Sequence, residues 1–155
     1  MRRLLLAPML AVAACSGAQT PPAAAPPAAT ANETVSRIGD VTIRASVVQT
    51  STLNEAVARG YGIVRDEGTV LLLVAVRQGP EANESALPAQ IMATATDLRG
   101  GKHDIPMREL RSGDLLDYVG TVAVSLPDTL RFDLTIVREG GASSTMQFSR
   151  EFFPR

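Results

Sequence analysis

The sequence predicts an all-β fold, an antiparallel β-sandwich of immunoglobulin-like kind with about seven strands and one short helix. Three observations predict it. Apolar and polar residues alternate over strand-length stretches, turn signals recur every ten or so residues, and only one stretch carries helical spacing. Hydrophobic residues make up 45% of the 155, enough for a packed core, but aromatics are 4% and Trp is missing, so that core must be mostly aliphatic. A partly open barrel is the alternative closure.

The domain is expected to begin near Val35 and run to residue 155. "DVTIRASVV" places Val41, Ile43, Ala45 and Val47 on one face and reads as the first strand. "TLNE" at 52–55 fits a capping box and Gly60 supplies a stop, so a helix is expected over 53–59. "TVLLLVAVR" is a strand apolar on both faces, and "AQIMATATDL" another, turned by "RGGK" into "HDIPMREL". "LLDYVGTVAVS" follows, then the turn "PDT", then "LRFDLTIVR" with Leu130, Phe132, Leu134 and Ile136 alternating. "EGG" leads into the last strand, "STMQFSREFF".

Two places break the alternation. A sandwich strand normally shows one face to water, so the five apolar residues Val70 to Val74 need an outer cover. The short helix is expected to supply it through Leu53, Ala56 and Val57, which share a face; a protein partner is the other possibility. Phe152 and Phe153 cannot both point inward, and Phe153 is taken as a contact residue.

Ahead of the domain the chain has a different character. "MRR" and "LLLAPMLAVAA" form a positive n-region and an apolar h-region, an export signal over residues 1–14 too short to span a bilayer. "VAAC" resembles the lipobox of bacterial lipoproteins, in which the cysteine is lipidated and becomes the new N-terminus. Cys15 is the sole cysteine, so it is an attachment point with no disulfide partner. Several acyl chains would hold it almost permanently, since each buried CH₂ contributes ~0.8 kcal/mol. Ser16, where lipoproteins retained at the inner membrane tend to carry Asp, implies the outer membrane. Residues 15–34 hold the lipidated Cys and a Pro/Ala-rich tether, "SGAQTPPAAAPPAATANE", reaching up to ~55 Å when extended.

Known chemistries find little support. With net charge −1 the chain has no electrostatic reason to seek phosphates, so nucleic acid is not expected as a partner. His103 is the one histidine, placed in a hairpin, and its neighbour Asp104 points to the opposite face. There is no GxSxG elbow, and the carboxylate pairs Asp114 with Asp117 or Glu109 with Asp114 qualify for glycoside chemistry only by number. "RELRSGD" gathers Arg108, Glu109, Arg111 and Asp114 at one corner, read either as a local ion-pair network or as a patch whose Arg108 and Arg111 orient a partner.

"RGYGIVRDEGTVLLLVAVRQG", "ATATDLRGGKHDIPMRELRSGDLLDYVGTVAVSLPDTLRFDLTI" and "MQFSREFF" together resemble the domain-of-unknown-function family 4426 of proteobacterial envelope proteins, over about residues 37–153. The resemblance implies no activity and carries over no site residue. The lipobox and long tether depart from the family's usual pattern and argue against free diffusion. The expected function is therefore a lipid-anchored, non-catalytic protein-interaction or envelope-assembly module at the periplasmic side of the outer membrane, bound to another envelope protein. The alternative is a binder of a small apolar or metal ligand between the sheets. No cofactor and no catalytic residue are assigned.

Overall fold

The computed structural model describes residues 32–155; the leader, Cys15 and the tether up to residue 31 lie outside the described residues. Alternation does what it predicts along the chain. In β2 (Val41–Gln49) the side chains of Val41, Ile43, Ala45 and Val47 are buried, and in β9 (Asp128–Arg138) so are Leu130, Phe132, Leu134 and Ile136. Burial of such aliphatic faces is the main favourable term of a fold that needs no disulfide. The core forms where two sheets press these faces together, and Phe132 stacks on Phe148 at 5.2 Å between ring centroids with Phe152 edge-on to it.

Among the described residues ten strands, all paired antiparallel, make the expected sandwich. One sheet runs β1 (Glu33–Ile38), β2, β3 (Thr69–Gln78), β8 (Leu115–Ala123), β7 (Arg108–Ser112), with the two-residue β4 (Ser85–Ala86) also on β3. The other runs β10 (Ser143–Phe152), β9, β5 (Ala89–Thr96), β6 (Lys102–Ile105).

Three strands exceed the seven read from the sequence, each for a physical reason. β1 begins at Glu33, inside the stretch assigned to the tether, and pairs with β2 through Glu33↔Ser46 to Ile38↔Val41. Its residues meet the core only partly, so periodicity barely marks it. β4 is too short to show a period. "HDIPMREL" is not one strand but two in different sheets, because Pro106 lacks a donor for the ladder and the chain crosses there from β6 to β7. Gly120 on β8 permits that crossing: a Cβ there would lie 2.7 Å from both Ile105 Cγ2 and Met107 Sδ.

Charges guard the edges that the crossing leaves open. Glu109 and Arg111 project from β7, while at the opposite side Arg150 of β10 donates to Thr34 Oγ1 at 2.8 Å and spans the gap to β1.

Candidate functional site

β3 crosses the middle of the larger sheet with Val70, Leu72, Val74 and Val76 in the core, which leaves Leu71, Leu73, Ala75 and Arg77 on the outer face. Two different covers serve the two halves of that face. Over Ala75 and Arg77 the cover is electrostatic. Arg77 is buried, donates to the Leu116 carbonyl at 2.9 Å and pairs with Asp117. Beside it Arg44 grips Glu84 with two parallel bonds of 2.8 and 2.9 Å, latching the 81–88 segment to β2. The hydrogen bond from Arg44, more than its charge, holds the Glu84 carboxyl below its usual range against the opposing effect of burial.

Over Leu71 the cover is an excursion of the chain between β2 and β3. Its base is pinned by Thr50, which is fully buried: its hydroxyl donates to the Asp66 carbonyl at 2.9 Å and accepts from the Asp66 N–H at 2.8 Å. Within it α1 (Glu55–Tyr61) is capped by Asn54, whose side chain accepts from the Ala56 N–H, and stopped by Gly62 at φ 64. The expected helix bounds of 53–59 are thus corrected. Thr52 does not cap, because its hydroxyl closes the preceding 3₁₀ turn on the Gln49 carbonyl at 2.8 Å. The expected covering face is also corrected: Val57 is 41% exposed, Ala56 is exposed and Leu53 half-buried, whereas Ala58 is the buried residue.

The seven-residue helix leaves a gap, and that gap is the candidate site. A cleft of about 510 Å³ opens on the outer face of the larger sheet. Leu71 and Val119 form its floor, Ile63 and Val64 one wall, Pro106 and Arg108 the other, and Asp66 and Thr69 its far end. Val64 is 81% exposed, and Leu71 is 2% exposed although it lies outside the main core. The Arg108 guanidinium is oriented by a bond to the Tyr61 carbonyl at the end of α1.

The residues singled out in the sequence scatter around this geometry. Arg108 lines the cleft, but Arg111 turns to Glu109 at 2.8 Å, so the corner holds one local ion pair and not a four-member network. Asp117 is engaged by Arg77. Phe153 is exposed while Phe152 is core, and the Phe153 carbonyl accepts from Gln49 Nε2 at 3.0 Å. His103 is exposed on its hairpin, 3.2 Å from Asp97, a carboxylate across the turn rather than the adjacent Asp104. The Gly101 N–H first, and His103 second, hold the Asp97 carboxyl below its usual range. Among the described residues no three or more His, Cys, Asp or Glu side chains gather as a metal would require, and no helix is long and apolar enough to cross a membrane. Asp66 and Val64 were missed in the sequence, where "IVRDEG" reads only as a loop.

A family model described as a domain of unknown function, DUF4426, matches residues 35–155. The chain belongs to the DUF4426 family. A solved DUF4426 family protein from Pseudomonas aeruginosa PAO1 is similar with a TM-score of 0.68 and 24% identity, covering 80% of this chain and 97% of that one. A copper-bound variant of FetP from uropathogenic Escherichia coli strain F11 is similar with a TM-score of 0.52 and 12% identity, covering 78% and 95%. At these identities the likeness of the DUF4426 chain to both is one of fold. No curated protein matches it.

Proposed function

We propose that this DUF4426 chain is a lipid-anchored, non-catalytic interaction module, attached through Cys15 to the outer membrane and facing the periplasm. There it holds another envelope protein. The observation that carries this reading is the cleft on the outer face of the larger sheet: it is open, mixed in polarity, and walled in part by Val64, which is 81% exposed. The space between the sheets, which the alternative reading would use, is packed with side chains such as Phe132, Ile43, Leu72 and Leu134 at 2% exposure or less.

Two measurements test it. A fatty-acid analogue should label the wild-type chain and not Cys15→Ser; equal label in both would refute the anchor. A photo-crosslinker at Thr121 in the cleft should give a discrete protein adduct in the envelope, while one at Met92 on the opposite sheet should give none. Identical outcomes from the two positions would remove the cleft as the contact surface.

A further inference from the structure

The chain enters the domain at one end of the sandwich. Among the described residues, the two large apolar side chains with the greatest exposure lie at that same end. The Asn32 carbonyl accepts from the Val47 N–H, so residues 1–31 join the fold beside the end of β2. Gln49, the last residue of β2, is buried, and its amide donates to the Glu67 carbonyl at 3.2 Å and the Phe153 carbonyl at 3.0 Å. Phe152 pairs with Asp128, whose carboxylate accepts from the Leu98 N–H at 3.2 Å. Val64 is brought to this end by its neighbour Arg65, which donates to the Ser51 carbonyl at 2.8 Å. Val64 is 81% exposed, Leu98 74% and Phe153 58%.

This exposure is held in place by the backbone. The Asp97 carboxylate accepts from the Arg99 and Gly101 N–H groups and the Asp97 carbonyl from the Gly100 N–H, so the hairpin tip is tied down while Leu98 stays in the open. A turn of this kind asks for glycine and short polar residues, not for a leucine. Each of the three apolar residues is followed within two positions by an arginine: Val64 by Arg65, Leu98 by Arg99, Phe153 by Arg155. Among the described residues none of these arginines forms an ion pair. Two carboxylates of the same end, Asp97 and Asp128, are spent on backbone N–H groups. An apolar tip beside a cation suits the boundary of a bilayer, with the tip among acyl carbons and the guanidinium at the phosphates. The opposite end differs. Its exposed Ile38 and Leu115 stand beside Asp40 and Asp114, which a phosphate surface repels.

We propose that this end of the sandwich docks on the lipid surface to which the chain is anchored. Val64, Leu98 and Phe153 enter the headgroup–acyl boundary, and Arg65, Arg99 and Arg155 meet lipid phosphates. The inference rests on the anchor reading, which brings the N-terminal side of the domain to the bilayer. Docking this way stands the strands upright on the membrane. The cleft, which shares Val64 as part of its wall, is then held close to the surface, where a partner in the same bilayer would meet it.

The chain has no Trp, so a single one introduced at a chosen position reports its own surroundings. Leu98→Trp, Phe153→Trp and Leu115→Trp chains, purified from envelope membranes, are reconstituted in vesicles of phosphatidylethanolamine and phosphatidylglycerol that include lipids brominated on the acyl chains. Emission from positions 98 and 153 should be quenched at least about twofold more strongly than from position 115, and shifted to the blue. Adding Phe153→Asp to Leu98→Trp should relieve the quenching, since the tips enter together. Equal quenching at all three positions, or quenching at none, overturns the proposal. So does a blue shift at 98 and 153 without quenching, which would assign this end to a protein surface. Acyl label on Cys15 is scored in the same samples. Label without quenching keeps the anchor and removes the docking, whereas quenching without label keeps the docking and removes the anchor.

Discussion

Glu84 shows how single residues complete a sheet face that hydrophobic pattern leaves open. Its carboxylate, half-buried against Arg44, has its pKa depressed in the folded protein by that guanidinium's hydrogen bonds. A depressed folded pKa means the pair stabilises above the unfolded value of ~4.3 and loses that contribution as pH falls through the folded value. Glu84→Gln should therefore cost about 1 kcal/mol at pH 7, the upper end for a pair near the surface. The gap to wild type should close as pH drops below about 4. Urea midpoints at pH 7, 5 and 3 check this, and a gap that widens toward pH 3 would refute it. The pair was not legible beforehand, because its partners lie 40 residues apart and meet only once β2 and the 81–88 segment are docked. Arg108 was legible as a candidate, but the four-residue ion network drawn around it was not: strand neighbours point to opposite faces, so proximity in sequence misled.

Among the elements, the strands were legible and the helix was not. Val41, Ile43, Ala45 and Val47 sit on one buried face because a period of two is set by the pleat and survives any detail of the ends. A seven-residue helix has no such safeguard. Its cap fixes its phase, and moving the cap from Thr52 to Asn54 turns Val57 outward and Ala58 inward. The consequence is measurable. Val57→Ala should leave the urea midpoint within about 0.5 kcal/mol of wild type, as exposed positions do. Leu71→Ala, which empties the buried floor of the cleft, should cost ~2–5 kcal/mol. A large loss from Val57 with a small one from Leu71 would restore the helix as the cover and remove the cleft's floor from the stable core.

For the whole molecule, the class of fold could be read from the sequence, whereas the order of strands could not. Nothing in the chain announces that β3 pairs with β8, or that β5 lies between β9 and β6, since aliphatic faces of this kind fit many neighbours. A weak signal fell on β1, where Val35 and Ile38 are exposed and burial does not alternate along the strand. Yet β1 closes the sandwich. It pairs with β2 from Val41 to Ser46, and its Glu33 and Thr34 receive Arg150 from the opposite sheet. A chain starting at Asn32 should unfold in a single transition unaffected by reductant, since it holds no cysteine. A chain starting at Asp40 loses the β1 ladder, strands Arg150 and bares the edge of β2. At ~1 kcal/mol net for each bond lost, it should be less stable by about 2 kcal/mol or more, a sizeable share of the ~5–15 kcal/mol of a domain. It should also self-associate with rising concentration, because β2 presents an unpaired row of donors and acceptors with no charged strand in front of it. Equal midpoints for the two chains would mean that the first strand is dispensable, and that the residues after the tether serve the anchor rather than the fold.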